Sequence, residues 1–104
     1  PTMRWDVGAS GSSNYTFTGP GFASTTNDPV LYLMRGHSYI FVNSTGASHP
    51  FEFRVSNGGA EYTAGISGSK TGTQVLEVPM DAPSTLYYQC TIHSAMGNTI
   101  NIVS

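Results

Sequence analysis

An all-β sandwich or barrel is the architecture this sequence predicts, and three observations carry it. Apolar and polar residues alternate in short runs, the period of a strand with one buried face. Most of the twelve glycines and six prolines fall between those runs, where turns need them, and the runs themselves are rich in Thr, Ser and Tyr. No stretch of useful length repeats its apolar residues at helical spacing.

The first run, Met3-Arg4-Trp5-Asp6-Val7, puts Met3, Trp5 and Val7 on one face. A flexible turn from Gly8 to Asn14 follows, then Tyr15-Thr16-Phe17-Thr18 alternates again. Gly19-Pro20-Gly21-Phe22 breaks the ladder, and Ala23 to Asp28 reads as surface loop. Pro29 opens Val30-Leu31-Tyr32-Leu33-Met34 and belongs at a sheet edge, because proline cannot donate to a central ladder. Ser38 to Asn43 is almost uniformly apolar, as expected of a strand covered on both faces. Pro50-Phe51-Glu52-Phe53-Arg54-Val55 sets Phe51, Phe53 and Val55 against Glu52 and Arg54. Residues 56–72 are glycine-rich and read as a long irregular connection with at most one short strand. Thr73 to Val78 is a strand, Pro79 to Ser84 a turn, and Thr85 to Cys90 a strand with Leu86, Tyr88 and Cys90 on one face. A last strand places Ile100 and Ile102 together. The expected total is about seven to nine strands in two sheets.

A chain of 104 residues has the length of one domain, 1–104, and a domain of that size buries about two-thirds of its unfolded surface. Only 10% of residues are charged and the formal net charge is −2, so there is no basic patch to neutralise a phosphate backbone and nucleic acid is not an expected partner. No apolar run approaches a membrane span, and no signal-peptide pattern opens the chain. The single cysteine excludes an internal disulfide and asks for another explanation. Asn14-Tyr15-Thr16 and Asn43-Ser44-Thr45 match the N-glycosylation pattern, as chance produces in a chain this rich in Asn, Ser and Thr.

That explanation is metal ligation. Cys90-Thr91-Ile92-His93-Ser94-Ala95-Met96 carries a soft thiolate, a borderline imidazole and a soft thioether on one short loop. Taken singly, a Cys is most often a small buried hydrophobe and a Met core filler. Together, at this spacing, they are three members of the His₂Cys set with a weak axial Met that binds electron-transfer copper. The second histidine comes from elsewhere. His37 sits in a Gly-Ser turn, whereas His49 ends a polar loop and shares the two-residue period of Phe51 and Phe53 toward the interior. His49, Cys90, His93 and Met96 are therefore the candidate metal ligands. A saturated site of this kind offers no position for substrate, and no nucleophile stands beside a base, so an enzyme is not expected.

The sequence resembles the cupredoxins, the small type 1 blue-copper proteins, over roughly residues 30–104. Gly36 to Asn43 is similar to the family's glycine turn and following strand, Val78 to Cys90 to the turn and aromatic strand that deliver the ligand cysteine, and Asn98 to Val103 to the closing strand. The spacing of Cys90, His93 and Met96 resembles the short ligand loop of amicyanins. The resemblance implies a Greek-key β-sandwich, one copper ion, and single-electron transport between redox proteins that dock transiently near His93. It further implies a monomer in a periplasmic, lumenal or extracellular setting. A copper storage or delivery module and a structural domain of a larger protein are the alternatives. One departure concerns the thiolate. Pro50 follows His49 where an N–H donor to sulfur is common in the family, and proline has none to give. Ile92 occupies a position where short-loop members often carry proline, and its N–H is the expected replacement donor.

Overall fold

The computed structural model describes residues 2–104. Ten strands form: β1 Thr2–Ser10, β2 Asn14–Thr18, β3 Thr26–Asn27, β4 Leu31–Met34, β5 Ser38–Asn43, β6 Phe51–Arg54, β7 Ile66–Gly68, β8 Thr73–Glu77, β9 Thr85–Cys90 and β10 Gly97–Val103. One sheet has six strands in the order β3-β2-β1-β5-β8-β7, the other four in the order β4-β10-β9-β6. This is the expected all-β class with more strands than predicted. The surplus is β3, two residues long and so too short to show an alternation, while β7, of three residues, is the one short strand allowed for within 56–72.

The chain passes repeatedly from one sheet to the other, which staples the two layers together. β1 pairs with β5 in parallel and β4 with β10 in parallel, while the remaining ladders are antiparallel. Pro29 precedes β4, which is an edge strand as expected. The core between the sheets is aromatic: Phe17, Phe41, Phe51, Phe53, Tyr15 and Tyr88 are all fully buried. Phe51 lies at its centre, with ring centroids 5.1 Å from Tyr15, 5.4 Å from Phe41 and 5.4 Å from Tyr88. Each such pair adds about 0.5–1.5 kcal/mol beyond simple burial.

Several expectations about exposure change. Met3, set on the face of Trp5 and Val7, is 43% exposed near the start of β1, and Val55, set with Phe51 and Phe53, is 44% exposed just past the end of β6. Over Ser38 to Asn43 the structure gives alternation, with Tyr39, Phe41 and Asn43 buried and Ile40 and Val42 only partly so. β5 has a neighbour on each side within its sheet, but its outer face lies away from the second sheet. Glu52, expected on the solvent face, is only 8% exposed. The glycine-rich connection folds over that face, held by Val55 N–H to Ala60 O at 2.9 Å and Tyr62 N–H to Phe53 O at 2.8 Å.

Glu52 is ion-paired there, accepting from Arg54 Nε at 2.6 Å and Lys70 Nζ at 2.9 Å. Burial alone raises its carboxyl, but the hydrogen bonds from Lys70 and Arg54 outweigh it and hold the group below the ordinary carboxylate value. A carboxyl depressed in the folded state stabilises the fold above its unfolded pKa, and the contribution is lost as pH falls through the folded one. Urea midpoints should therefore decline on acidification from about pH 6 to about pH 3, and less steeply in Glu52→Gln. Equal slopes in the two proteins would exclude the assignment.

Candidate metal centre

The strand register brings two remote loops to one end of the sandwich. Phe51, the first residue of β6, pairs with Cys90, the last of β9. The β5–β6 connection, residues 44–50, and the β9–β10 loop, residues 91–96, are thereby neighbours. The first contains a single 3-10 turn, Gly46–Ser48, with His49 directly after it. His49 thus precedes the strand rather than continuing its alternation. The carbonyls of His49 and Pro50 anchor it, and Thr45 Oγ1 donates to His49 O at 3.1 Å. Asn43 Nδ2 donates to His49 O at 2.8 Å, the Tyr15 hydroxyl is shared between His49 O and Pro50 O at 2.9 Å each, and Thr91 N–H donates to Pro50 O at 3.2 Å. Burial, then the neighbouring Cys90, push the Tyr15 hydroxyl far above the ordinary phenol range, so it remains a neutral donor.

Asn43 is buried and also donates to Lys70 O at 3.0 Å, while its own Oδ1 accepts from Thr45 N at 3.0 Å. Its burial and these bonds explain why the Asn43 glycosylation pattern reads as chance. Asn43→Ala leaves those partners unpaired and should cost about 1–3 kcal/mol in urea unfolding of the metal-free protein. A change below about 0.5 kcal/mol would mean that the loop holds itself.

The second loop is a tight closure between antiparallel partners. Cys90 N–H donates to Met96 O at 3.0 Å and Met96 N–H to His93 O at 3.1 Å. Gly97 follows at φ +149°, and a Cβ there would run into the Tyr88 carbonyl oxygen, so only glycine lets β10 start against β9 at this point. Gln89 completes the support. It is fully buried on the strand face opposite Cys90, donating to Ser94 O at 2.9 Å and Asn57 Oδ1 at 3.1 Å and accepting from Gly58 N at 2.8 Å. This tie between the ligand loop and the glycine-rich connection is invisible in the sequence, where a polar residue at an alternating position reads as solvent-facing.

Three of the four candidate ligands come together. His49 Nδ1 lies 3.1 Å from His93 Nδ1, and Cys90 Sγ lies 3.9 Å from His49 Nδ1 and 3.7 Å from His93 Nδ1. A point in their plane equidistant from all three atoms is about 2.1 Å from each, close to the metal–nitrogen and metal–thiolate bond lengths of a transition-metal site. One thiolate and two imidazoles also suit copper chemically. Cys90 is buried while His49 and His93 are partly exposed. Met96 is fully buried at the end of the same loop. His37 stands at the other end of β5, roughly 20 Å of strand away.

The amide aimed at the sulfur belongs to His93, whose N–H reaches Cys90 Sγ at 3.4 Å. This corrects the expectation of Ile92. Met96 N–H bonding to His93 O turns the loop back on itself, which carries the amide three residues beyond Cys90 toward the sulfur. Ile92 instead lies at the surface, 61% exposed.

Two packed sheets with a His–Cys–His group at one end define a cupredoxin-fold chain with a candidate metal site. Comparison with solved structures agrees on the fold. A rusticyanin variant matches with a TM-score of 0.51 at 20% identity, over 97% of this chain and 77% of that one. An amicyanin variant in its reduced Cu(I) form at pH 4 matches with a TM-score of 0.53 at 16% identity, over 97% and 81%. Reduced rusticyanin matches with a TM-score of 0.50 at 21% identity, over 97% and 79%. No protein-family model and no curated protein matches the sequence. Among the described residues, no helix is long and apolar enough to cross a membrane.

Proposed function

We propose that this chain is a one-electron carrier of the blue-copper class, in which His49, Cys90 and His93 would hold a single copper ion and the Met96 thioether would serve as a weak further donor. The observation that carries the reading is the meeting of one sulfur and two imidazole nitrogens, from segments 41 residues apart, at separations one ion fills. Copper bound by such a set supplies a reversible one-electron couple.

The chain's own part is to hold the donors still. Asn43 and Tyr15 fix the His49 backbone, the Cys90–Met96 and Met96–His93 bonds fix the hairpin, and Gln89 ties the loop from outside. Donors that barely move between two oxidation states keep reorganisation small. The His93 amide and the apolar ring stack beneath Cys90 temper the thiolate and keep water from it, the two levers by which hydrogen bonding and burial tune a metal's potential.

His93 is the electron's exit. Its ring is partly exposed and flanked by exposed Ile92 and Ala95, a small, mostly apolar surface suited to a brief encounter. With six acidic and four basic residues, steering by charge is weak. The working unit we propose is a monomer of one domain in a periplasmic, lumenal or extracellular setting. Adding Cu(II) to the metal-free protein should produce an intense visible absorption that bleaches on reduction and returns on oxidation. Tight Cu(I) binding without reversible cycling would instead favour storage or delivery, and failure to take up copper would favour a structural role.

A further inference from the structure

We propose that Met3, Met34 and His37 form a second, exposed site that takes Cu(I), at the end of the sandwich opposite Cys90. These three side chains line one open groove of about 420 Å³, whose remaining walls are Tyr32, Tyr39 and Val103. Met3 lies near the start of β1, Met34 ends β4, and His37 closes the turn into β5. Methionine is ordinarily core filler, yet Met3 is 43% exposed and Met34 38%. Met80 belongs to the same corner. It is 76% exposed, and its sulfur lies over Gly36, the residue beside His37. Three of the chain's four methionines thus surround a single turn, although a strand start, a strand end and a distant loop contribute them.

The groove's chemistry selects the ion. Among the described residues no carboxylate lines it, so calcium and magnesium, which want anionic oxygen, find no partner. Thioether sulfur and imidazole are the soft and borderline donors that favour Cu(I). The one charge on the turn is directed elsewhere. Arg35 donates to Ala82 O at 2.8 and 3.3 Å and to Ser104 Oγ at 3.2 Å, leaving neutral ligands for a monovalent cation. The His37 backbone is pinned by its N–H to Met34 O at 3.2 Å and by Val78 N–H to its carbonyl at 3.0 Å. Its ring makes no hydrogen bond among the described residues, so the imidazole is available to a metal. Methionine's three rotatable bonds give the Met3 and Met34 thioethers reach into the groove that both line. The site shares no residue with the Cys90 cluster and stands whether or not that cluster carries electrons.

The test compares wild-type protein with Met3→Leu/Met34→Leu, both titrated anaerobically with Cu(I) against a bicinchoninate competitor. Leucine keeps the groove filled and apolar, so a loss of metal is not a loss of fold. The variant should bind one Cu(I) equivalent fewer than the wild type. In parallel, Ag(I), a redox-inert stand-in, should shift the methyl resonances of Met3 and Met34 in wild-type protein. Equal stoichiometry in the two proteins, or Ag(I) shifts confined to the Met96 methyl, would overturn the proposal.

Discussion

Cys90→Ser should abolish the visible absorption that the proposed copper site is expected to give in Cu(II)-loaded native protein. The colour of such a site is a thiolate-to-copper transition, and Cys90 is the chain's only sulfur of that kind. His49 and His93 stay in place because their positions are set by other groups: the Asn43 and Tyr15 bonds to the His49 carbonyl, and the Met96 N–H bond to the His93 carbonyl. The variant therefore keeps two imidazoles and binds Cu(II) as a pale nitrogen and oxygen site, more weakly by tenfold or more. Serine is smaller and polar at a site only 2% exposed, so about 1–3 kcal/mol of stability should go as well. Circular dichroism and unfolding of the metal-free variant separate that cost from the loss of colour. An intense band persisting in folded Cys90→Ser would mean that the ligand is another residue.

Gly97→Ala should be the most damaging conservative change in the ligand loop. At φ +149° an alanine is strained by about 1–3 kcal/mol, and its Cβ meets the Tyr88 carbonyl oxygen, a backbone atom that cannot swing aside. Gly97 pairs with Gln89 to open β10, so relief requires β10 to pull away from β9 just beside Cys90. We expect a loss of more than about 3 kcal/mol in denaturant unfolding, together with a weakened or shifted copper band because Met96 and His93 are carried off with the strand. Gly21→Ala is the control, since nothing lies within 4 Å of a Cβ there and only the backbone strain at φ +87° applies. If Gly97→Ala is no worse than Gly21→Ala, the close approach of β10 to β9 does not govern the loop.

What was legible in the sequence follows from the range of each signal. The Cys90 to Met96 spacing is local, and so is the apolar pair Phe51 and Phe53 beside His49, although Val55, set with them, is 44% exposed and His49 lies ahead of the strand. Burial of Leu86, Tyr88 and Cys90 on one face follows from the same two-residue period. Tertiary features were hidden. The outer face of β6 reads as solvated because Glu52 and Arg54 are charged, and only the fold of residues 56–72 shows that Glu52 is covered and paired. Gln89, a neutral polar residue alternating with Tyr88 and Cys90, carries no mark in the sequence of its full burial. The sulfur's amide donor depends on how the loop turns back through Met96, which spacing alone does not contain. β3 and β7 pair only because longer neighbours offer them an edge.

X-ray absorption at the copper edge of the copper-loaded native protein would decide whether residues 49, 90 and 93 share one ion. One short copper–sulfur distance and two imidazole nitrogens are expected in both the oxidised and the reduced protein, with little change between them. A first shell of nitrogen and oxygen alone, with no short sulfur, would contradict it.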